Sequence, residues 1–396
     1  MSRIPLDEIY QQRINFLIGA GASSGLFPTL WLAIKDSNNP EKEETIETLA
    51  TKLEQLGHEY RSHQTLLFMY YYQNIISPVC NFKLTNFDIQ HADCIGVDCE
   101  ICKQEERQKE AISNYETFID SIVRLLQNKN EFQKRCNLFT TNYDGCVPLI
   151  ADKLIKKGEL EFFINDGACG FLDRTLSARN FNNYICQSGV FGRNSSDIPQ
   201  INFINLHGSA YWRKSDNNIA VDYKNTDTNV IIPEEALEPL TTLHTILNNK
   251  DKTTKDVLSI DVKFPEAIID SFWSSYNKLP IVNPTKWKFH ETVFEEHYYQ
   301  MLRLLSYQLE EPNSILISFA FSFADEHILN LVKRSLSNPK LQVFICCFDK
   351  KEHQVMSDRF RGYRNISLIS FDDAKLDFTK FNKEVFNADL LRGELE

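Results

Sequence analysis

At 396 residues, with 42% apolar side chains and a formal net charge of −11, the chain has material for one large domain with insertions or for two domains. The acidic balance argues against direct DNA binding, because a duplex-binding face needs clustered Lys and Arg. There is no run of about 18 apolar residues and no basic-then-apolar leader, so neither a membrane span nor export is expected. The ten cysteines then read as reduced thiols of a cytoplasmic protein rather than as a disulfide framework, and the 28 phenylalanines as core packing.

The first expected strand, Ile14–Ile18, runs directly into Gly19-Ala20-Gly21-Ala22-Ser23. A glycine pair at a strand end lets backbone N–H groups face a phosphate with no β-carbon in the way. The next glycine is Gly25, giving G-x-G-x-x-x-G, and no acidic residue closes a second strand about 20 residues on, so the run departs from the hydride-transfer fingerprint. It reads as a nucleotide diphosphate site and not as that of an ordinary dehydrogenase.

From Glu41 to about Ile76 the spacing of Ile46, Leu49, Leu53 and Leu56 predicts helix, as does that of Ile112, Tyr115, Ile119, Ile122 and Leu126 between Glu105 and Asn128. Residues 41–129 are therefore expected to form a helical insertion. Tyr70–Tyr72 within it reads as packing at a helix end. His91-x-x-Cys94-x4-Cys99-x-x-Cys102 has zinc-type spacing. Asp93, Asp98 and Glu100 offer the plainer reading of a solvated acidic loop, and no metal site is assigned.

An alternating pattern then resumes. Cys136–Thr140 reads as strand, Val147–Ile155 as helix, and Leu160–Ile164 and Ile201–Leu206 as strands, with residues 165–200 a loop over a site. Residues 210–280 read as a smaller irregular insertion of short strands, Val230–Ile232 among them, and polar turns. Val293–Leu309 is an expected helix, Ile315–Phe319 a strand, Asp325–Leu336 a helix capped by Asp325, and Val343–Phe348 and Ser367–Phe371 strands. Phe381–Glu396 is polar enough to be partly disordered. The fold class expected is α/β: a Rossmann-like parallel sheet with helices on both faces, spanning 1–40 and 130–390 around the two insertions.

In open parallel sheets ligands collect at the carboxyl ends of strands. Three such ends here are polar: the glycine loop, Thr140-Thr141-Asn142-Tyr143-Asp144, and Leu206-His207-Gly208-Ser209. Singly they read as helix caps and turns; together they predict one shared site. Cys146, just beyond, reads as a small buried thiol and not as a nucleophile. His290, His297 and His327 have no spacing that points to a metal.

Gly19–Gly25, Thr140–Asp144, Leu206–Ser209 and Phe321-Ser-Phe-Ala-Asp-Glu-His-Ile328 together resemble the sirtuin-like family, and are closest to its bacterial antiviral branch, whose members cleave NAD. Pro280–Phe289 also resembles a segment of that branch. The resemblance implies that Gly19, Ala20, Gly21 and Ser23 hold the NAD diphosphate. Asn142 would orient the nicotinamide ribose or the attacking water, Thr141 would line the site, and Asp144 would hold the carboxamide. His207 would be the general base and Ser322 would lie near the adenosine half.

Thr141 stands where the family usually has Gln, and Ala320 where the branch commonly has Gly. Beyond the His-Gly segment, only Cys346 and Cys347 stand where deacylating members carry two Cys-x-x-Cys pairs. The function implied is therefore an NAD glycohydrolase of bacterial antiviral defence. The alternatives are an NAD-dependent protein deacylase and a non-catalytic NAD- or nucleic-acid-binding subunit. Members of this size resemble the subunit paired with a HerA-type hexameric ATPase, which implies a homo-oligomer in the bacterial cytoplasm.

Overall fold

The computed structural model describes residues 4–37, 39, 43–84, 100–129, 134–192, 195–224, 230–281 and 292–388. They form two compact units: Met1–Leu26 with Lys83–His207 and Glu296–Glu396, and Phe27–Phe82 with Gly208–Glu295. The stretch expected as one helical insertion is divided between them.

The first unit is built on seven strands: β1 (Arg13–Ile18), β2 (Arg135–Thr140), β3 (Phe163–Asn165), β4 (Gln200–Asn205), β5 (Ser314–Phe319), β6 (Gln342–Cys346) and β7 (Ile366–Ile369). They lie in the order β7-β6-β5-β1-β2-β4-β3, every neighbouring pair parallel. From β1 the chain builds the β2–β4–β3 side, then crosses to build β5, β6 and β7. The reversal falls between β1 and β5, the crevice where doubly wound sheets take ligands.

Five helices flank the sheet: α1 (Glu100–Gln127), α2 (Cys146–Lys157), α3 (Thr292–Glu310), α4 (Glu326–Ser335) and α5 (Lys350–Arg359). Strand side chains alternate between faces, and β1 shows the consequence. Leu17 joins Phe139, Ile204 and Leu316 in an apolar cluster with Met301 and Leu305 of α3 and Ile328 and Val332 of α4. Phe16 points the other way, edge-on to Phe118 of α1 and to Phe386, each at 5.2 Å.

That second face overturns the expected disorder of the C-terminal segment as far as residue 388. Phe378 and Phe381 pack on Phe319, and Phe381 and Phe386 are fully buried. The polar residues between these rings hid the spacing. Residues 389–396 lie outside the described residues.

The loop expected over 165–200 contains two short antiparallel hairpins, Ala168–Cys169 with Thr175–Leu176 and Cys186–Ser188 with Ser195–Asp197. Their strands are too short for a periodic signal. Helix α5, also not foreseen, starts at an Asp349 cap whose side chain accepts the Glu352 N–H.

In the second unit, Trp31–Lys35 pairs antiparallel with Glu43–Thr45. Helices Ile46–Leu56 and Arg61–Tyr71 follow, the first opened by a Thr45–Thr48 capping box. The region expected to be short strands and turns also carries helices, Leu237–Leu247, Thr254–Leu258 and Glu266–Tyr276, beside a hairpin at Trp212–Ser215 and Asn218–Val221. Val230–Ile232 is not a strand. Ile269, Phe272 and Tyr276, buried at helical spacing behind Pro265, carried the signal that was missed. Tyr70 and Tyr71 are buried in this unit's core. Among the described residues, no helix is long and apolar enough to cross a membrane.

Candidate functional site

Four strand ends are tied together by backbone bonds that continue the sheet past its strands. Gly19 N–H donates to the Phe319 carbonyl, Thr141 N–H to Ile18 and Leu206 N–H to Thr140. The loops after β5, β1, β2 and β4 therefore start from one rigid edge.

After β1 the chain makes a single 3-10 turn, Ala20–Ser23. Ala22 N–H closes onto the Gly19 carbonyl, so the N–H groups that the turn itself does not use are those of Ala20 and Gly21. Both residues are exposed, whereas Gly19 is buried. A β-carbon on Gly19 would fall 2.2 Å from the Ala320 carbonyl oxygen. At this position glycine makes room for the loop after β5, and it is at Gly21 that the backbone faces outward.

Ser23 turns inward and organises a buried cluster. Its hydroxyl donates to Asp144 Oδ2 at 2.7 Å, lies 2.7 Å from the Tyr115 hydroxyl and accepts from Asn142 Nδ2 at 3.4 Å. Asp144 Oδ1 takes the Cys146 N–H at 3.0 Å, so both carboxyl oxygens are engaged. Burial pushes the Asp144 carboxyl above its ordinary range, against the bonds from Ser23 and Cys146 that favour the anion. Burial likewise raises the Tyr115 hydroxyl and the Cys146 thiol, and Asp144 adds to both. Cys146 is thus an inert interior thiol.

Asn142 is held on three sides. Its N–H donates to Thr140 Oγ1 at 3.0 Å, its carbonyl accepts from Asn205 Nδ2 at 3.2 Å, and Nδ2 points at Ser23. Its Oδ1 is buried and makes no hydrogen bond. A buried acceptor left unmade costs about 1–3 kcal/mol, so native interiors rarely keep one without a reason.

His207, two residues beyond β4, has its Nε2 2.9 Å from Asp325 Oδ2. Asp325 caps α4 as expected, Oδ1 accepting from His327 and Ile328 N–H at 2.8 and 3.0 Å. Burial works against ionisation of Asp325, but the bond and charge of His207 and the two backbone donors outweigh it and hold the carboxyl down to about 2. Tyr298 of α3 flanks the His207 ring, centroids 6.3 Å apart, and burial, then the Asp325 charge, push its hydroxyl up. Gly208, next along, has φ +86°, which favours glycine.

The loop after β5 is strained. Ala320 and Phe323 have φ of +54° and +52°, in the left-handed region. Such residues cost of order 1–3 kcal/mol each and concentrate at functional sites. Phe321 and Phe323 are anchored edge-to-face at 4.9 Å, and Arg359 of α5 donates to the Ser322 and Phe323 carbonyls at 2.7 and 2.8 Å.

Of the residues singled out in the sequence, the structure gathers Ser23, Asn142 and Asp144 into one hydrogen-bonded cluster. It sets Gly19, Ala20, Gly21 and Thr141 on the same sheet edge. His207 pairs instead with Asp325, and Ser322 is exposed on the strained loop, outside the cluster. His91, Cys94 and Cys99 lie outside the described residues; among those described, no three His, Cys, Asp or Glu side chains are placed to hold a metal. Sequence reasoning missed Tyr115, Asn205, Tyr298 and Arg359. Tyr115 and Tyr298 sit at helical spacing among apolar residues, which reads as core, whereas Asn205 at the end of an apolar strand was a usable signal.

Fold and site place the chain among open, doubly wound α/β proteins with a polar carboxyl-edge site. It matches no family model and no curated protein.

Proposed function

We propose that the chain is an NAD glycohydrolase that converts NAD and water into nicotinamide and ADP-ribose. The observation that carries this reading is the buried Asn142 Oδ1, an acceptor that awaits a donor between the turn after β1 and the His207 loop. A ribose hydroxyl, a carboxamide N–H or the attacking water would each satisfy it. The N–H groups of Ala20 and Gly21 suit a diphosphate, and the location at the sheet's switch point suits a dinucleotide.

The pyridinium charge already weakens the nicotinamide–ribose bond. Water adds to the ribose carbon, the carbon–nitrogen bond breaks with its electron pair moving onto the ring nitrogen, and one proton leaves the water. Asn142 orients the reactants and His207 takes the proton, a task suited to imidazole near neutral pH. Full-length protein incubated with NAD is expected to release nicotinamide without any acylated peptide, and Asn142→Ala and His207→Ala to abolish the release. NAD binding by calorimetry with no nicotinamide formed would replace this reading with that of a non-catalytic binder.

The biological setting that goes with this activity is antiviral NAD depletion in a bacterial cytoplasm, by a homo-oligomer docked on a HerA-type hexameric ATPase. Two exposed apolar hairpin tips in the first unit, Phe171-Leu172 and Val190-Phe191, are 87–98% accessible and suit such assembly. Light scattering that gives a monomer, unchanged by the ATPase, would count against it.

A further inference from the structure

His207 and Asp325 belong to loops that follow β4 and β5, and β2 and β1 lie between those strands. Three inter-strand spacings amount to about 14 Å, yet Nε2 and Oδ2 are 2.9 Å apart. The two loops therefore reach toward one another across the carboxyl edge that carries Asn142 and the glycine turn. Asp325 is itself immobilised, with Oδ1 committed to the His327 and Ile328 N–H groups in the first turn of α4 and its backbone at the helix start. Only Oδ2 is left for His207, so the carboxylate fixes one bond direction and not a range of them.

An ionised carboxylate only accepts hydrogen bonds, so the proton between the two atoms must sit on the imidazole at Nε2. In the neutral ring that leaves the lone pair on Nδ1. Tyr298 bounds the ring on a further side.

Resting on the NAD-cleaving reading, we propose that Asp325 is the positioning residue of the site, locking His207 in the tautomer whose Nδ1 is the proton-accepting nitrogen. When Nδ1 takes the proton from the attacking water, the imidazolium is paired with a carboxylate that stays ionised. The proton then passes to solvent as ADP-ribose leaves. No group is oxidised or reduced, and Asp325 touches neither substrate nor reacting atom.

Asp325→Asn tests this directly. The amide keeps an oxygen to cap α4 but turns an N–H donor toward Nε2, which then must carry the lone pair, so the tautomer inverts. Long-range proton–nitrogen spectra of histidine-labelled full-length protein, with the His207 signals assigned by their loss in His207→Gln, are expected to show Nε2 protonated in the wild type and Nδ1 protonated in the variant. With NAD as substrate, kcat is expected to fall roughly 100-fold or more while KM stays within about threefold. A melting curve checks that the variant is folded. An unchanged His207 tautomer, or a kcat within about threefold of wild type, would overturn the assignment. If wild-type protein releases no nicotinamide, the NAD reading fails by itself, and the spectra still decide whether Asp325 sets the tautomer.

Discussion

Gly19 and Ala320 meet where the loops after β1 and β5 leave the sheet, and the carbonyl oxygen of Ala320 occupies the place of the β-carbon that Gly19 lacks, 2.2 Å from it. The backbone of Gly19, at φ −104°, suits any residue. The requirement for glycine is therefore purely steric. Gly19→Ala must push the β5 loop aside, and overpacking of this kind typically costs about 1–3 kcal/mol. A fall in the urea midpoint of that order is expected, with nicotinamide release lost because the strained loop carries Asp325.

Ala320 predicts the opposite sign. Its φ of +54° is one that glycine adopts freely and that costs an L-residue about 1–2 kcal/mol. Glycine gives back part of the gain through the greater freedom of the unfolded chain, about 0.4–1 kcal/mol. Ala320→Gly is therefore expected to stabilise the protein by up to about 1 kcal/mol, read as a raised urea midpoint with an unchanged slope. Its methyl also lies beside Gly21, 3.1 Å from where that residue's β-carbon would be, so the substitution opens the approach to the turn.

The same pair shows what the sequence could and could not reveal. The strand-to-glycine junction at Ile18–Gly19 and the polar strand ends at Asn142 and His207 were legible because periodicity stops abruptly there. The parallel sheet was legible because buried strands such as Ile315–Phe319 alternate with helices such as α3. The reason for Gly19 was not legible, since a neighbour 300 residues away supplies it. Nor was the second role of Asp325, because capping a helix and holding a histidine use different oxygens of one carboxylate. Tyr115 entered the site from a helix whose spacing announced only core. The short hairpins near Phe171 and Val190 have strands of two or three residues, too few for any period to show.

A ladder of side-chain amides crosses the sheet away from the site. Asn15, Asn137, Asn202 and Asn165 occupy one register across β1, β2, β4 and β3. Asn137 is its hub, donating to Asn15 Oδ1 at 2.8 Å and to Gln308 Oε1 at 3.1 Å, and accepting from Asn202 Nδ2 at 2.8 Å. Asn137→Ala strands the acceptor of fully buried Asn15, and a loss of about 2–3 kcal/mol is expected. A double-mutant cycle with Asn15→Ala should return a coupling of about 0.5–3 kcal/mol. Additive losses would show that the ladder is not a cooperative unit.

The depressed carboxyl of Asp325 makes stability depend on pH in a predictable direction. Its value in the folded protein is about 2, against an ordinary value of 3.8. Burial alone would raise it; the His207 bond and charge, with the N–H groups of Ile328 and His327, more than reverse that. Because the folded value lies below the unfolded one, the unfolded chain binds the proton more readily between them. The stabilisation is therefore complete above about pH 5 and is lost as the pH falls toward 2, and its full size is about 2 kcal/mol. Asp325→Asn removes the charge while keeping an N-cap acceptor of similar quality. The stability gap between wild type and Asp325→Asn, measured by urea unfolding, should be near its maximum at pH 6 and should narrow steadily from pH 4.5 to 3. A gap that stays constant over that range would mean that the Asp325 carboxyl is not held below its ordinary value in the folded protein, by His207 or by the N–H groups of α4.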